Sequence, residues 1–224
     1  MLKKEDFTYI EKHLAFCEKL NDAEIQLLKN NFTSLKYNKG ENLHGGDKEC
    51  VGLILIKSGE LRVYILSEEG REVTLYRLAE GDSCILSASC ILNNITFDVF
   101  IDAEQDTDVL LLNVGTLSIL SEKNIHVENY VNKKVAEKFS DVMWAVEQML
   151  FMSFDKRLAG FLHDEMVKIN SNKIKLTHEQ IAKYVGSARE VVSRMLKNFE
   201  TQGILKLSRG IIEITDEKKL RELL

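Results

Sequence analysis

The spacing of apolar residues changes twice along this chain. Over residues 5–31, and again over 116–152, apolar side chains recur every three or four positions, which is typical of helices packed along one face. Between about 32 and 114 the period becomes two, and glycine-containing turns are frequent. This pattern predicts seven strands, at 33–37, 42–44, 51–56, 60–66, 72–78, 95–102 and 107–113. Many short strands separated by such turns are typical of a sandwich or barrel.

The segment THEQIAKYVGSAREVVSRMLKNFETQGIL, residues 177–205, predicts two short helices joined by a turn. Thr177 and Gln180 have the spacing of a capping box, in which each side chain bonds the other residue's backbone N–H. Ser187 and Glu190 have the spacing of a second box. Gly186, between the two helices, adopts positive φ without strain. Two helices joined in this way form a helix-turn-helix, whose second helix enters a DNA major groove.

The second helix has an apolar side and a polar side. Its predicted apolar stripe consists of Val191, Val192, Met195, Leu196 and Phe199. Its outward side carries Arg189, Ser193, Arg194 and Lys197, whose donors suit bases and phosphates. The alternatives are an ordinary helical hairpin with a solvated face, or a surface that binds a protein.

The residues that follow predict a wing. Two short apolar runs flank Ser208-Arg209-Gly210, and Lys173–Leu176 could pair with them, so the segment predicts a winged helix. Arg209 at the turn would contact phosphate. For His178 on the first helix, we expect a phosphate contact or exposure to solvent rather than acid–base chemistry. The expected DNA contacts are Thr177, His178, Ser187, Arg189, Glu190, Ser193, Arg194, Lys197 and Arg209.

Charge is distributed unevenly along the chain. The whole protein carries a formal charge of −5, but residues 155–224 hold 14 Lys/Arg against 10 Asp/Glu. The segment that contains the predicted helix-turn-helix is therefore net positive, as attraction to phosphate requires. No apolar run reaches membrane-spanning length and no signal peptide is evident, so we expect a soluble, cytoplasmic protein. No nucleophile–base or metal-ligand arrangement predicts an enzyme.

A heptad-like stripe runs along the predicted helix of residues 116–152. The apolar residues Val135, Phe139, Val142, Val146 and Met149 are separated by four, three, four and three positions. This spacing predicts a dimerisation helix, which agrees with the paired recognition helices that palindromic DNA demands. In the alternative interpretation, the stripe packs against its own β domain.

The order of a β domain, a long helix and a winged helix resembles the family of the cyclic-AMP receptor protein and the fumarate/nitrate-reduction regulator, the Crp/Fnr family. The sequences KSGELRVYILSEEGREVTLYRLAEGD at 57–82 and GSAREVVSRMLKNFETQGIL at 186–205 carry the resemblance. It implies an α+β protein with a cyclic-nucleotide-binding-like jelly roll at 1–115, a dimerisation helix at 116–152 and a winged helix-turn-helix at 153–224. It also implies a homodimeric transcription regulator, with RNA polymerase as a partner.

The recognition helix resembles two branches of this family. The order Glu-x-x-Ser-Arg at 190–194 is similar to the oxygen-responsive branch, and Arg189 before it is similar to the cyclic-AMP branch. Both branches bind a half-site built around TGA. The resemblance therefore implies an inverted repeat with TGA and TCA cores.

The expected effector pocket departs from the cyclic-nucleotide pattern. Relatives that bind cyclic nucleotide have Gly-Glu and Arg-Ser or Arg-Thr pairs, where this chain has Ile85-Leu86 and Thr96-Phe97. Because burying an unpaired phosphate charge is costly, these residues argue against cyclic AMP. The pocket residues that the resemblance implies are Tyr64, Cys84, Ile85, Leu86, Cys90, Thr96 and Phe97.

The cysteine pattern does not identify the signal to which the expected effector domain responds. Cys17 stands alone near the N-terminus, and the spacing of the four cysteines matches no iron–sulfur motif. Cys84 and Cys90 lie in the effector stretch, where a haem-sensing branch of the family places its ligands, but no histidine is nearby. The alternatives are a thiol pair that senses oxidation or a metal, two small buried hydrophobes, haem, or a pocket for a small apolar or aromatic effector.

Overall fold

A computed structural model describes residues 2–45, 51–85 and 99–224. Contacts divide the chain into two compact units. Unit 1 comprises Met1–Ile65 and Leu75–Val142, and unit 2 comprises Leu66–Thr74 and Met143–Leu224. The expected boundaries at 115 and 152 therefore differ from this division, which falls inside a long helix. In the described part of the chain, no helix is both long and apolar enough to span a bilayer.

Unit 1 begins with three short helical segments, over about residues 5–31, whose spacing predicts helices. They are α1 (Lys4–His13), a 3₁₀ helix (Ala15–Lys19) and α2 (Asp22–Asn31). Asn21 caps α2 by accepting a hydrogen bond of 3.0 Å from the backbone N–H of Glu24, whose carboxylate accepts from the N–H of Asn21 at 2.9 Å. This reciprocal pair is a capping box, and it fixes the start of α2.

Two four-stranded sheets form the body of unit 1. The strands are β1 (Phe32–Tyr37), β2 (Asn42–His44), β3 (Leu53–Ser58), β4 (Leu61–Leu66), β5 (Glu72–Leu78), β6 (Ser83–Cys84), β7 (Phe100–Ala103) and β8 (Thr107–Leu112). The strand orders are β1-β8-β3-β6 and β2-β7-β4-β5, and the pairings between β1, β3, β6 and β8 are antiparallel. The sequence pattern did not predict β6, because a strand of two residues is too short to show a period.

Strand β3 is buried on both faces of the sheet β1-β8-β3-β6, whereas the edge strand β1 is largely exposed. Leu53 and Leu55 belong to a core cluster that also contains residues of α1 and α2. Ile54 and Ile56, which alternate with them along β3, belong to a second cluster that also contains Val63 of β4. Since neighbouring strand residues point to opposite faces, the continuous apolar run LILI supplies both clusters at once.

The first half of β4 carries a buried cation. Arg62 is 3% exposed, its Nε lies 3.0 Å from Oε1 of Glu104, and an Nη lies 3.3 Å from Oδ2 of Asp102. Its guanidinium also stacks 4.0 Å from the ring centre of Tyr64. A charge this deeply buried needs such partners, so this arginine is neutralised by the carboxylates beside it.

The predicted helix of residues 116–152 is two helices, α3 (Val114–Lys123) and α4 (Ile125–Phe151). Asn124 separates them in an extended conformation (φ −133°, ψ 109°), and its side-chain oxygen accepts from the N–H of His126 at 3.0 Å. Asparagine favours such local caps over a helix interior. The periodicity alone could not show this single-residue break.

The predicted heptad stripe is divided between buried and exposed environments. Val135 packs against the first core cluster of unit 1, and Val142 packs against the second. Phe139, by contrast, is 66% exposed. Val146 and Met149 are half-buried. For Val135 and Val142 the structure therefore favours the alternative interpretation, packing within their own chain.

Unit 2 contains the predicted winged helix and two additional helices. Its elements are α5 (Phe154–Ile169), β9 (Lys173–Ile174), α6 (His178–Val185), α7 (Arg189–Thr201), β10 (Leu205–Ser208), β11 (Ile211–Ile214) and α8 (Glu217–Glu222). The three strands are ordered β10-β11-β9, so Lys173 and Ile174 pair with the hairpin as the sequence predicts. One apolar cluster, contributed by every helix and strand of the winged helix, holds these elements together.

Candidate nucleic-acid interface

The first helix of the predicted pair, α6, begins and ends as the sequence predicts. The N–H of Gln180 donates to Oγ1 of Thr177 at 3.1 Å, and the N–H of Thr177 donates to Oε1 of Gln180 at 2.8 Å. A cap of this kind stabilises a helix by about 1 kcal/mol. At the other end, Gly186 is left-handed (φ 61°, ψ 50°), which ends α6 and turns the chain towards α7.

The second predicted capping box does not form. The residue that precedes α7 is Ala188, and no side chain caps that helix. The N–H of Ser187 donates to the carbonyl of Ala182 at 2.9 Å, so Ser187 still belongs to the end of α6. The left-handed turn therefore extends one residue further than the spacing suggests, and the N-cap position moves to an alanine.

The outward side of α7 brings together the predicted base-contacting side chains. Arg189, Glu190, Ser193, Arg194 and Lys197 line one shallow surface depression. Both arginines, Glu190 and Lys197 are exposed, and Ser193 is half-buried. The depression thus presents three cations and one carboxylate along about two and a half turns of helix. These groups can donate to phosphate oxygens and to guanine, and accept from cytosine.

A second depression connects α6, α7 and the wing. Its lining comprises Leu176, Thr177, His178, Glu179, Arg189, Ser208, Gly210, Ile211 and Ile212. Arg189 lines both depressions, so they form one continuous surface within unit 2. The predicted contacts at Thr177 and His178 therefore lie on the same surface as the α7 residues.

Two predicted contacts lie beside this surface rather than in it. Ser187 is half-buried and lines neither depression, because its backbone closes α6. Arg209 is exposed at the tip of the wing between two residues that line the second depression. Glu179 lines this depression and was not predicted. Its position in the first turn of α6, beside two predicted contacts, was the signal available in the sequence.

The pKa of His178 on this surface is shifted by burial and by neighbouring cations. Partial burial lowers the pKa of His178 from its ordinary value of 6.5, and the positive charges of Arg189 and Lys197 lower it further. The ring is therefore neutral near pH 7 in the unbound protein. A polyanion on this face would oppose the effect of the two cations and favour the protonated ring.

The predicted effector pocket lies largely outside the described residues, because Leu86, Cys90, Thr96 and Phe97 fall within residues 86–98. Of the remainder, Cys84 is buried in the cluster between the two sheets, and Ile85 is buried in the cluster beneath α1 and α2. Tyr64 stacks on Phe100 at 5.4 Å between ring centres, on the face of β4 opposite Val63. The structure does not bring Tyr64, Cys84 and Ile85 to one site.

The sequence did not predict a polar cluster in unit 1 that surrounds Cys84. The hydroxyls of Ser83 and Tyr130 lie 2.9 Å apart, and Nζ of Lys138 lies 4.5 Å from the ring centre of Tyr76. Burial raises the pKa of Tyr76 well above its ordinary value, and nearby Cys84 and Asp141 add to the rise. These groups join β5 and β6 to α4, so polar side chains lie beside Cys84 although it belongs to an apolar cluster.

Neither described cysteine has the environment of a reactive thiol. Burial raises the pKa of Cys17 to about 12, and Cys84 is fully buried. Within residues 2–45, 51–85 and 99–224, no three His, Cys, Asp or Glu side chains converge in a way that could hold a metal ion.

Comparisons with known proteins agree with this geometry. Residues 156–223 match the model of the Crp-like helix-turn-helix domain. A crystal structure from Eubacterium rectale, of a protein assigned to the Crp/Fnr family as a transcriptional regulator, is 46% identical in sequence. It has a TM-score of 0.92 and covers 95% of this chain and 99% of that chain.

Two curated relatives are more distant. The fumarate and nitrate reduction regulatory protein of Yersinia pestis is 25% identical over 213 residues, which are 91% of this chain and 84% of that protein. The cAMP-activated global transcriptional regulator CRP of Pasteurella multocida is 24% identical over 173 residues, 75% of this chain and 82% of that protein.

The lowered pKa of His178 predicts a pH-dependent affinity for DNA. Phosphates close to this face should raise the pKa of His178 relative to the unbound protein, so binding should take up a proton at pH values between the unbound and the bound pKa of this residue. We expect affinity to increase by about twofold to fivefold between pH 8 and pH 6 at constant salt. Fluorescence anisotropy with a labelled duplex measures this dependence.

The variant His178→Gln should remove this increase, whereas His163→Gln, at a histidine that lines neither depression, should retain it. An equal pH dependence in all three proteins would contradict the assignment of the titrating group.

Proposed function

This chain belongs to the Crp/Fnr family of transcription regulators, and we propose that it acts as a homodimer that binds a specific inverted repeat in DNA. We further propose that a small signal other than a cyclic nucleotide, acting on unit 1, controls this binding. Members of the family bind DNA and act as dimers. RNA polymerase is the partner through which such a regulator would act on transcription.

The continuous surface of α6, α7 and the wing carries this proposal. Arg189, Arg194 and Lys197 are exposed along one side of α7, while Val192 and Leu196 on its other side are fully buried. A helix that is fixed to its domain along one side can enter a groove with the other. Arginine offers a bidentate fork to O6 and N7 of guanine, and Glu190 can accept from N4 of cytosine.

The same surface argues against a partner protein as the principal target. Interfaces between proteins have cores from which charged residues are depleted and in which large apolar residues are enriched. The depression on α7 is instead lined by four charged residues and one serine. A phosphate backbone and base edges suit this lining better than an apolar protein surface.

The expected target is an inverted repeat with TGA and TCA cores, and selection from random duplexes tests it. Arg194→Ala should cost roughly 1–3 kcal/mol of binding free energy and relax discrimination at the guanine. Lys197→Ala should weaken binding to all sequences alike. It should also reduce the slope of log affinity against log salt concentration by about one.

Lys218→Ala is the matched control, because it removes an exposed lysine from α8, which lines neither depression. Its selected motif and salt dependence should equal those of the unchanged protein. An enriched motif without TGA, or no enrichment, would show that α7 does not have the proposed role.

We propose that the dimer forms along an exposed apolar stripe of α4 that shares Phe139 with the predicted heptad seam and otherwise uses different residues. Ile125, Phe139, Met143 and Leu150 are 57%, 66%, 47% and 69% exposed, respectively. Their separations of 14, 4 and 7 positions place them within about 40° of one another around the helix. Four exposed large apolar side chains on one helix face are costly unless a partner covers them.

Met143→Asp should therefore shift the protein to monomers and weaken binding to the inverted repeat, because a carboxylate would lie at the centre of the stripe. Sedimentation and binding to full and half repeats measure these effects. Lys133→Asp, at an exposed α4 position outside the stripe, should leave the dimer intact. A Met143→Asp protein that remains dimeric would contradict this seam.

The proposal that the signal is not a cyclic nucleotide rests on the residues at the expected phosphate site. Leu86 and the Thr96-Phe97 pair offer no charge to a cyclic phosphate. The buried arginine of β4, Arg62, is already paired with Asp102 and Glu104. A phosphodiester would thus lose its hydration without gaining a cation there.

We expect neither cyclic AMP nor cyclic GMP to bind in calorimetry at micromolar concentrations, and neither to change DNA affinity. The cAMP-activated relative of Pasteurella multocida provides the positive control. Saturable binding of either nucleotide to this protein would contradict the expectation.

A further inference from the structure

One apolar residue of α7, Val191, lies outside the core that the helix otherwise helps to form. Val192, Leu196 and Phe199 belong to the buried cluster of unit 2, and Met195 packs against it. Val191 is half-buried and belongs neither to that cluster nor to the residues packed against it. All residues of unit 2 are described, so Val191 departs from the apolar stripe to which the sequence pattern assigns it.

The position of Val191 on α7 is close to the groove-facing side. It is the third residue of the helix, in the first turn, and the N-terminal residues of a recognition helix are those that contact base edges. Arg194 follows three positions later, and such side chains are neighbours with Cβ atoms about 5–6 Å apart. Val191 therefore flanks the arginine that we assign to guanine.

The chemistry of valine limits what it can contact in DNA. It has no donor for a phosphate and no acceptor for a base amine. In the major groove, the apolar group that distinguishes one base from the others is the C5-methyl of thymine. In a TGA/TCA half-site, the G·C pair has an A·T pair on each side, and each of these pairs supplies one thymine.

We propose that Val191 contacts the methyl group of a thymine one base-pair step from the guanine bound by Arg194, and so contributes to sequence specificity. This inference rests on the proposed DNA-binding function and adds an apolar contact to it. Adjacent base pairs are about 3.4 Å apart along the duplex, which is within the separation of neighbouring side chains on α7.

Replacing thymine by deoxyuridine removes the methyl and leaves every hydrogen-bonding group in place, so it isolates this contact. The experiment compares duplexes carrying deoxyuridine at one or the other of the two thymine positions, in both half-sites. At one position we expect affinity to fall by about fourfold per half-site, the value of one buried methyl group. For a dimer on two half-sites the loss of affinity should be about fifteenfold, since the binding free energies lost at separated positions add.

Two variants connect the effect to the side chain. Val191→Ala should bind thymine and deoxyuridine duplexes equally, and Val191→Thr, which retains a methyl at the same place, should keep a preference for thymine. Deoxyuridine in the spacer between half-sites should change nothing for any protein. Val191→Ala should also leave the melting temperature nearly unchanged, whereas Val192→Ala, in the buried cluster, should lower it clearly.

The outcomes separate this inference from the function on which it rests. Equal binding of thymine and deoxyuridine duplexes by the unchanged protein, with its preference for TGA over scrambled duplexes intact, would overturn the inference alone. A full thymine preference in Val191→Ala would assign the methyl contact to another residue and overturn it as well. Loss of all preference for TGA duplexes would instead overturn the proposed function.

Discussion

The geometry of the DNA-binding unit depends on the left-handed turn at Gly186. With φ at 61° and ψ at 50°, this residue ends α6 and redirects the chain within three positions into α7. A residue with a Cβ in this conformation costs roughly 1–2 kcal/mol. Because the turn sets the angle between the helices, it decides which side of α7 packs on the core and which side is left for a groove.

Burial on one side of α7 is what makes the other side usable. Val192, Leu196 and Phe199 fix the rotation of the helix about its own axis, since each is at most 1% exposed. Arg189, Arg194 and Lys197 then project from a rigid support, although their own side chains are long and exposed. The preorganisation that a specific interface requires therefore comes from apolar packing, while the charges supply chemistry and long-range attraction.

In unit 1, buried charges and polar groups are held by partners on neighbouring strands and helices. Arg62 is matched by two carboxylates, and Oδ1 of Asp6 lies 2.6 Å from Nζ of Lys57. Burial acts to raise the pKa of Asp6, but the hydrogen bonds from Lys57 and from the backbone N–H of Lys3 outweigh it, so this pKa lies below its ordinary value. Such pairs stabilise little by themselves, but removing one partner leaves a buried charge. The pair of Arg62 with Asp102 favours the observed register of β4 against β7, and the pair of Asp6 with Lys57 joins α1 to β3.

Sequence patterns predicted the elements whose signals are local. The period of two located most strands, the Thr177–Gln180 spacing located the start of α6, and glycine at 186 located its end. Two predictions from local signals failed at the ends of helices. The extended turn at Gly186 moved the N-cap of α7 from Ser187 to Ala188, and Asn124 divided a continuous helical pattern into α3 and α4.

The sequence by itself determined the order of the elements, the polar side of α7 and the charge that surrounds it, because these depend on residue type and spacing alone. Only the tertiary structure decided which apolar residues are covered. Val142 and Val191 both fit an apolar helical stripe, yet Val142 packs on a core cluster and Val191 does not. Periodicity shows that a residue can face a neighbour, whereas the positions of other elements decide whether a neighbour is there.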